Sequence, residues 1–150
     1  MKNTIIKLEQ LIQEYIPLLK NISEEIMLAK PASGKWSKKE IIGHLIDSAL
    51  TNSRRFIVCQ YEDAPKIVYA QVEWVIASGY QSYDTNDLIQ LWTLLNKHIC
   101  HILENTPEHL WQRTCMTQQL HTIEWLATDY VKHLKHHMHV VLDMEPVAYP

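Results

Sequence analysis

The sequence predicts an all-α four-helix bundle, and three observations carry that reading. Four stretches place apolar residues three to four apart, the period of a helix with one buried face. No stretch shows the strict alternation of a half-buried strand. Helix-capping residues stand at the expected starts: Ser37 with Glu40 three residues on, the run Asp84-Thr85-Asn86, and Thr122.

The elements follow in order. Ile5, Leu8, Leu11 or Ile12, Tyr15, Leu18 or Leu19, Ile22 and Ile26 predict a first helix over 4–29, which Pro17 kinks or splits. The second runs from Ser37 to Cys59, opened by the Ser37/Glu40 capping box, with Trp36 placed to staple onto Ile41. Its stripe of Ile41, Leu45, Ala49, Asn52 and Phe56 is flanked by His44, Asp47, Ser48 and Thr51, the pattern of a core with a functional pocket. Residues 60–84 are irregular, with a short helix at 71–77 before Gly79. A third helix spans Asp87 to Glu104 and buries Leu88, Leu91, Leu95, Ile99 and Ile102. Residues 108–121 read as a connection anchored by Trp111, and a fourth helix runs from Thr122 to about Asp143. The long 60–84 segment leaves room for an order other than up-down-up-down.

Composition narrows the function. The 150 residues, 47% of them hydrophobic, suit one domain over the whole chain, 1–150. A formal charge of −3 and the lack of a basic run argue against nucleic acid. No apolar run approaches the ~18 residues of a membrane span. Cys59, Cys100 and Cys115 lie far apart, with neither disulfide nor C-x-x-C spacing, so they read as core fillers in a reducing cytoplasm. Histidine stands out: nine in the chain, five of them between positions 121 and 139.

His133 and His137 lie four apart on the apolar stripe of the last helix, so their rings stack one turn above the other. That is the H-x-x-x-H spacing of zinc-binding helices. His44 faces inward from another helix, and three neutral imidazoles suit Zn²⁺, Ni²⁺ or a similar ion with water completing the shell. Asp47 and Asp129 are placed to accept from ring N–H groups. His136 and His139 fall toward Lys132 and Lys135 and read as solvated surface.

The run G-K-W-S-x-K-E-x-x-G-H-L-x-D-S at 34–48, continued by Asn52 and Arg55-Phe56, resembles the opening motif of the metal-binding DinB/YfiT-like family. (This family is distinct from the DNA polymerase of similar name.) Residues 122–126 and 129–137 resemble its closing motif. The resemblance implies a four-helix bundle with a long crossover between helices two and three. It implies a divalent metal held by three histidines, falling here on His44, His133 and His137, and often a homodimer. Family members include S-transferases that join low-molecular-weight thiols such as bacillithiol or mycothiol to electrophiles, and hydrolases.

The expected function is therefore metal-dependent thiol transfer or hydrolysis, with nickel or zinc first and iron or manganese next. Small-molecule thiol and electrophile would be the partners. Arg55 would meet a substrate carboxylate or an internal acid, and Trp74 or Tyr80 would stand near the ligand. The alternative is a non-catalytic metal-binding bundle or a helical interaction module.

Overall fold

The structure is a computed structural model that describes residues 1–149. The first predicted helix is two: α1 spans Lys2–Lys20 and α2 spans Glu24–Leu28. Pro17 sits inside α1, and the chain breaks one turn later, where Ser23 caps α2 by accepting from the Ile26 N–H. Pro17 lacks an N–H for the ladder, and a fresh cap three residues past the helix end restarts it. Ile5, Leu8, Leu11, Ile12, Tyr15 and Leu19 form the buried face of α1.

α3, Lys38–Val58, begins at the expected capping box. The Glu40 N–H donates to Ser37 Oγ at 3.1 Å, and the Ser37 N–H donates to Glu40 Oε2 at 2.8 Å. It is the most enclosed helix, buried without interruption from Ile42 to Ala49. The crossover then carries α4, Gln71–Ser78, which ends at Gly79 in the left-handed region (φ 63°). A 3₁₀ turn, Tyr80–Ser82, follows. Tyr80 lays its ring on Gly43 so closely that a Cβ there would fall 2.1 Å from the ring.

α5, Thr85–Glu104, is capped by Asp84, which accepts from the Asn86 and Asp87 N–H groups at 2.9 and 3.0 Å. α6, Ile123–Val141, is capped by Thr122 and ends two residues before the expected Asp143. Between them lies a hairpin absent from the sequence reading. β1, Thr114–Met116, pairs antiparallel with β2, Leu120–Thr122, with Cys115 opposite His121. Strands of three residues are too short for alternation to show. Lys66 in the crossover adds a parallel bridge to Met116.

α1 packs on α5 and α6, and α3 packs on the same two. α1 and α3 therefore occupy opposite corners of the four-helix bundle, with α4 covering α3. This is the crossed order that the long 60–84 segment allowed. Among the described residues no helix is long and apolar enough to cross a membrane.

Candidate metal centre

α3 and α6 bring three imidazoles together. His44 is 1% exposed, and its Nε2 lies 3.1 Å from Nε2 of His133. Ring centroids are 5.0 Å apart for His44 and His133, 4.9 Å for His44 and His137, and 4.5 Å for His133 and His137. One ring nitrogen from each of the three falls within 4.8 Å of the others. Two nitrogens bound to one ion at ~2.05 Å and a tetrahedral angle lie about 3.3 Å apart, so the observed spacing suits shared coordination. The capping box fixes the start of α3, and Trp36 packs its ring 5.2 Å from that of His44.

The electrostatics favour the same use. Burial pushes His44 down to about 4, with His137 adding to the effect. Burial and the neighbouring rings push His133 to about 3, and burial with His136 pushes His137 to about 4. All three are neutral near pH 7, the form that binds a cation. Nδ1 of His44 is buried with no hydrogen-bond partner. The donor set, three neutral imidazoles with Nε2 of His44 turned to Nε2 of His133, fits a metal site.

A cavity of about 560 Å³ adjoins the triad, with His133 in its wall. Ser48, Asn52 and Arg55 of α3 line it, with Asp129 and Tyr130 of α6. Val68, Tyr69 and Gln71 are the crossover's contribution, in place of the expected Trp74 or Tyr80. Tyr80 is buried on α3 and donates to Asp47 Oδ1 at 2.6 Å. Trp74 instead packs edge-on against Tyr69, with ring centroids 5.2 Å apart.

The expected second-layer carboxylates have other partners. Among the described residues neither Asp47 nor Asp129 hydrogen-bonds a triad ring. Asp47 is held by Tyr80, its other oxygen is a buried orphan, and burial raises its pKa despite that bond. Asp129 Oδ2 accepts from the Tyr149 hydroxyl at 2.9 Å. Arg55 donates to the Ile67 carbonyl and to Asn52.

His136 and His139 depart from the solvated reading. The chain turns at Asp143 (φ 53°) and folds back along α6. Nδ1 of His139 lies 2.6 Å from the Glu145 carbonyl, and Nδ1 of His136 lies 2.6 Å from that of Val147. These contacts bring Tyr149 against His133, ring centroids 5.3 Å apart, and into the cavity wall. Helical periodicity carries no signal for a segment beyond the helix. His121 stacks on Trp125 at 3.6 Å beside the same cavity; it lies in β2, just before the helix that carries Trp125. All three cysteines are buried and free, as core fillers should be. Burial holds Cys59 and Cys100 up at about 12.

Comparison with known proteins places this arrangement. The fold is similar to YfiT from Bacillus subtilis, described as a probable metal-dependent hydrolase with an unusual four-helix bundle topology. That match has a TM-score of 0.86 at 19% identity, covering 95% of this chain and 83% of the other. Mycothiol-dependent maleylpyruvate isomerase, as wild type and as a variant, matches with TM-scores of 0.72 at 14% and 15% identity. This chain is 98% covered but spans only 61% of the isomerase. No curated protein sequence matches. The profile of the DinB superfamily matches residues 7–141, nearly the whole chain, and the protein belongs to that superfamily.

Proposed function

We propose that His44, His133 and His137 hold one divalent metal ion, and that the protein transfers a small thiol to an electrophile in the adjoining cavity. The observation that carries this reading is the junction of the two features: three neutral imidazoles converge, and one of them, His133, is also cavity wall. When bound, the ion supplies Lewis acidity that lowers the pKa of a thiol or water reaching it.

The chain's own residues set the rest. Trp36 and the buried surroundings of His44 hold that ring in one orientation and keep it neutral. Three protein ligands leave room in a four- to six-position shell for a substrate atom. Arg55 and Asn52 offer polar grips away from the triad, and Tyr149 and Trp125 narrow the cavity. In the transfer a C–S bond forms from the thiol sulfur. The electrophile's leaving group departs with its bonding pair, and the thiol proton passes to solvent.

Hydrolysis is the second reading, supported by the likeness to YfiT and by the polar wall of Ser48, Asn52 and Gln71. Histidine ligation suits nickel and zinc first, then iron or manganese. Cytoplasmic location and a homodimer belong to the same reading; sedimentation tests the dimer.

Elemental analysis of untagged protein tests the centre. About one ion per chain is expected, lost in His44→Ala and in His137→Ala. No uptake after reconstitution with nickel or zinc removes the metalloenzyme reading. Thiols are then screened against electrophiles, with ester and amide hydrolysis as the competing assay.

A further inference from the structure

Arg55 is the cation of the cavity wall, and among the described residues it forms no ion pair with an acid. Its Nε–H and an Nη2–H donate to the Ile67 carbonyl at 3.2 and 2.9 Å, and an Nη1–H donates to Asn52 Oδ1 at 3.3 Å. Three of the five guanidinium N–H groups are thus engaged, leaving two without a partner among the described residues. None of the ion pairs among those residues includes Arg55. Its partners are neutral oxygens, which fix its plane without cancelling its charge. Asn52 is itself held, donating to the Ser48 carbonyl at 2.9 Å.

Asp129 carries the other formal charge on this wall, and one of its oxygens is taken by Tyr149. A half-buried guanidinium beside a cavity, clamped by neutral oxygens and with two N–H groups to spare, is built to receive an anion. Burial disfavours its charge and Asp129 on the same wall favours it; a bound anion would add to the second effect.

We propose that the cavity takes a substrate bearing a carboxylate, gripped by the free N–H groups of Arg55 while the reacting end of the molecule lies at His133. The proposal rests on the reading of this cavity as the substrate site of the metal centre. A planar carboxylate matches the guanidinium fork. Asp129 on the same wall repels a second negative group, so one carboxylate fits better than a polyanion.

Two probes test it: 3-mercaptopropionate and 3-mercaptopropionamide, which share a thiol and differ at the carboxylate. Each is titrated into the full chain, nickel-loaded and metal-free. Nickel–thiolate absorption follows the sulfur end, and the Arg55 Nε–H resonance of ¹⁵N-labelled protein follows the other. The acid should bind roughly tenfold more tightly than the amide and should alone shift the Arg55 resonance. Arg55→Gln should erase the preference, and Arg55→Lys should retain part of it.

Equal affinity of the two probes in the wild type overturns the proposal. So does a preference that survives Arg55→Gln in a folded variant. Failure of the metal reading has a different signature: no nickel uptake and no thiolate band. In that case the Arg55 resonance decides alone, a shift with the acid only supporting the proposal and no shift overturning it. The wild-type comparison stands even where a substitution loosens the crossover through Ile67.

Discussion

Two buried polar clusters tie α6 to its neighbours, and they are built on opposite principles. Between α5 and α6 the Tyr130 hydroxyl donates to Asn96 Oδ1 at 2.6 Å, while Asn96 Nδ2 donates to the Trp92 carbonyl at 2.8 Å. Between α3 and α6 the three imidazoles are packed together, yet Nδ1 of His44 has no partner; on the same face of α3, Oδ2 of Asp47 has none either. Both clusters lie deep: Asn96 is 0% and His44 1% exposed. A closed pair fixes how helices pack. An open one leaves bonding capacity that the chain does not fill, at a cost to folding.

The largest test of this contrast is metal content. His44→Ala should lower metal affinity by on the order of 100-fold or more, since loss of an outer-shell partner alone costs 10- to 100-fold. Asn96→Ala should leave the bound ion in place, by elemental analysis, while lowering the unfolding temperature.

The next is pH. The unfolded chain protonates His44, His133 and His137 near 6.5, whereas the folded chain does so only at about 3 to 4. The unfolded state therefore binds more protons between those values. Metal-free protein should lose stability as pH falls from 6.5 to about 3–4 and hold it above 6.5. Denaturant unfolding across that range should show a shallower slope in His44→Ala and an unchanged one in Asn96→Ala.

Gly43→Ala comes third. A Cβ 2.1 Å from the Tyr80 ring must displace the crossover, at about 1–3 kcal/mol. Thermal unfolding reads the loss, and the Tyr80–Asp47 bond should break with it. Smallest is Tyr130→Phe, which leaves Asn96 Oδ1 unpaired for about 1–2 kcal/mol and should not change metal content.

Much of the frame was legible because it is set within a few residues. Ser37 with Glu40, Asp84 and Thr122 cap three of the four long helices where their side chains predicted. His133 and His137 face one way because a helix turn is four residues long, and His44 follows from the cap seven residues before it. The sequence leaves Pro17 to kink or split the first helix, and the break falls at 21–23 instead, because a proline weakens a helix without by itself deciding where packing ends it. The hairpin left too few residues to show a period.

The sequence by itself determined the helices, the inward faces and the three histidines, since each depends on neighbours within a turn or two of chain. Only the tertiary structure decided that Tyr80 rather than a ring nitrogen would hold Asp47, and that Tyr149 would return along α6 to take Asp129. It alone placed Arg55 on the same cavity as His133. Those pairings join residues tens of positions apart. They depend on which helix lies diagonal to which, a property of the whole packed chain.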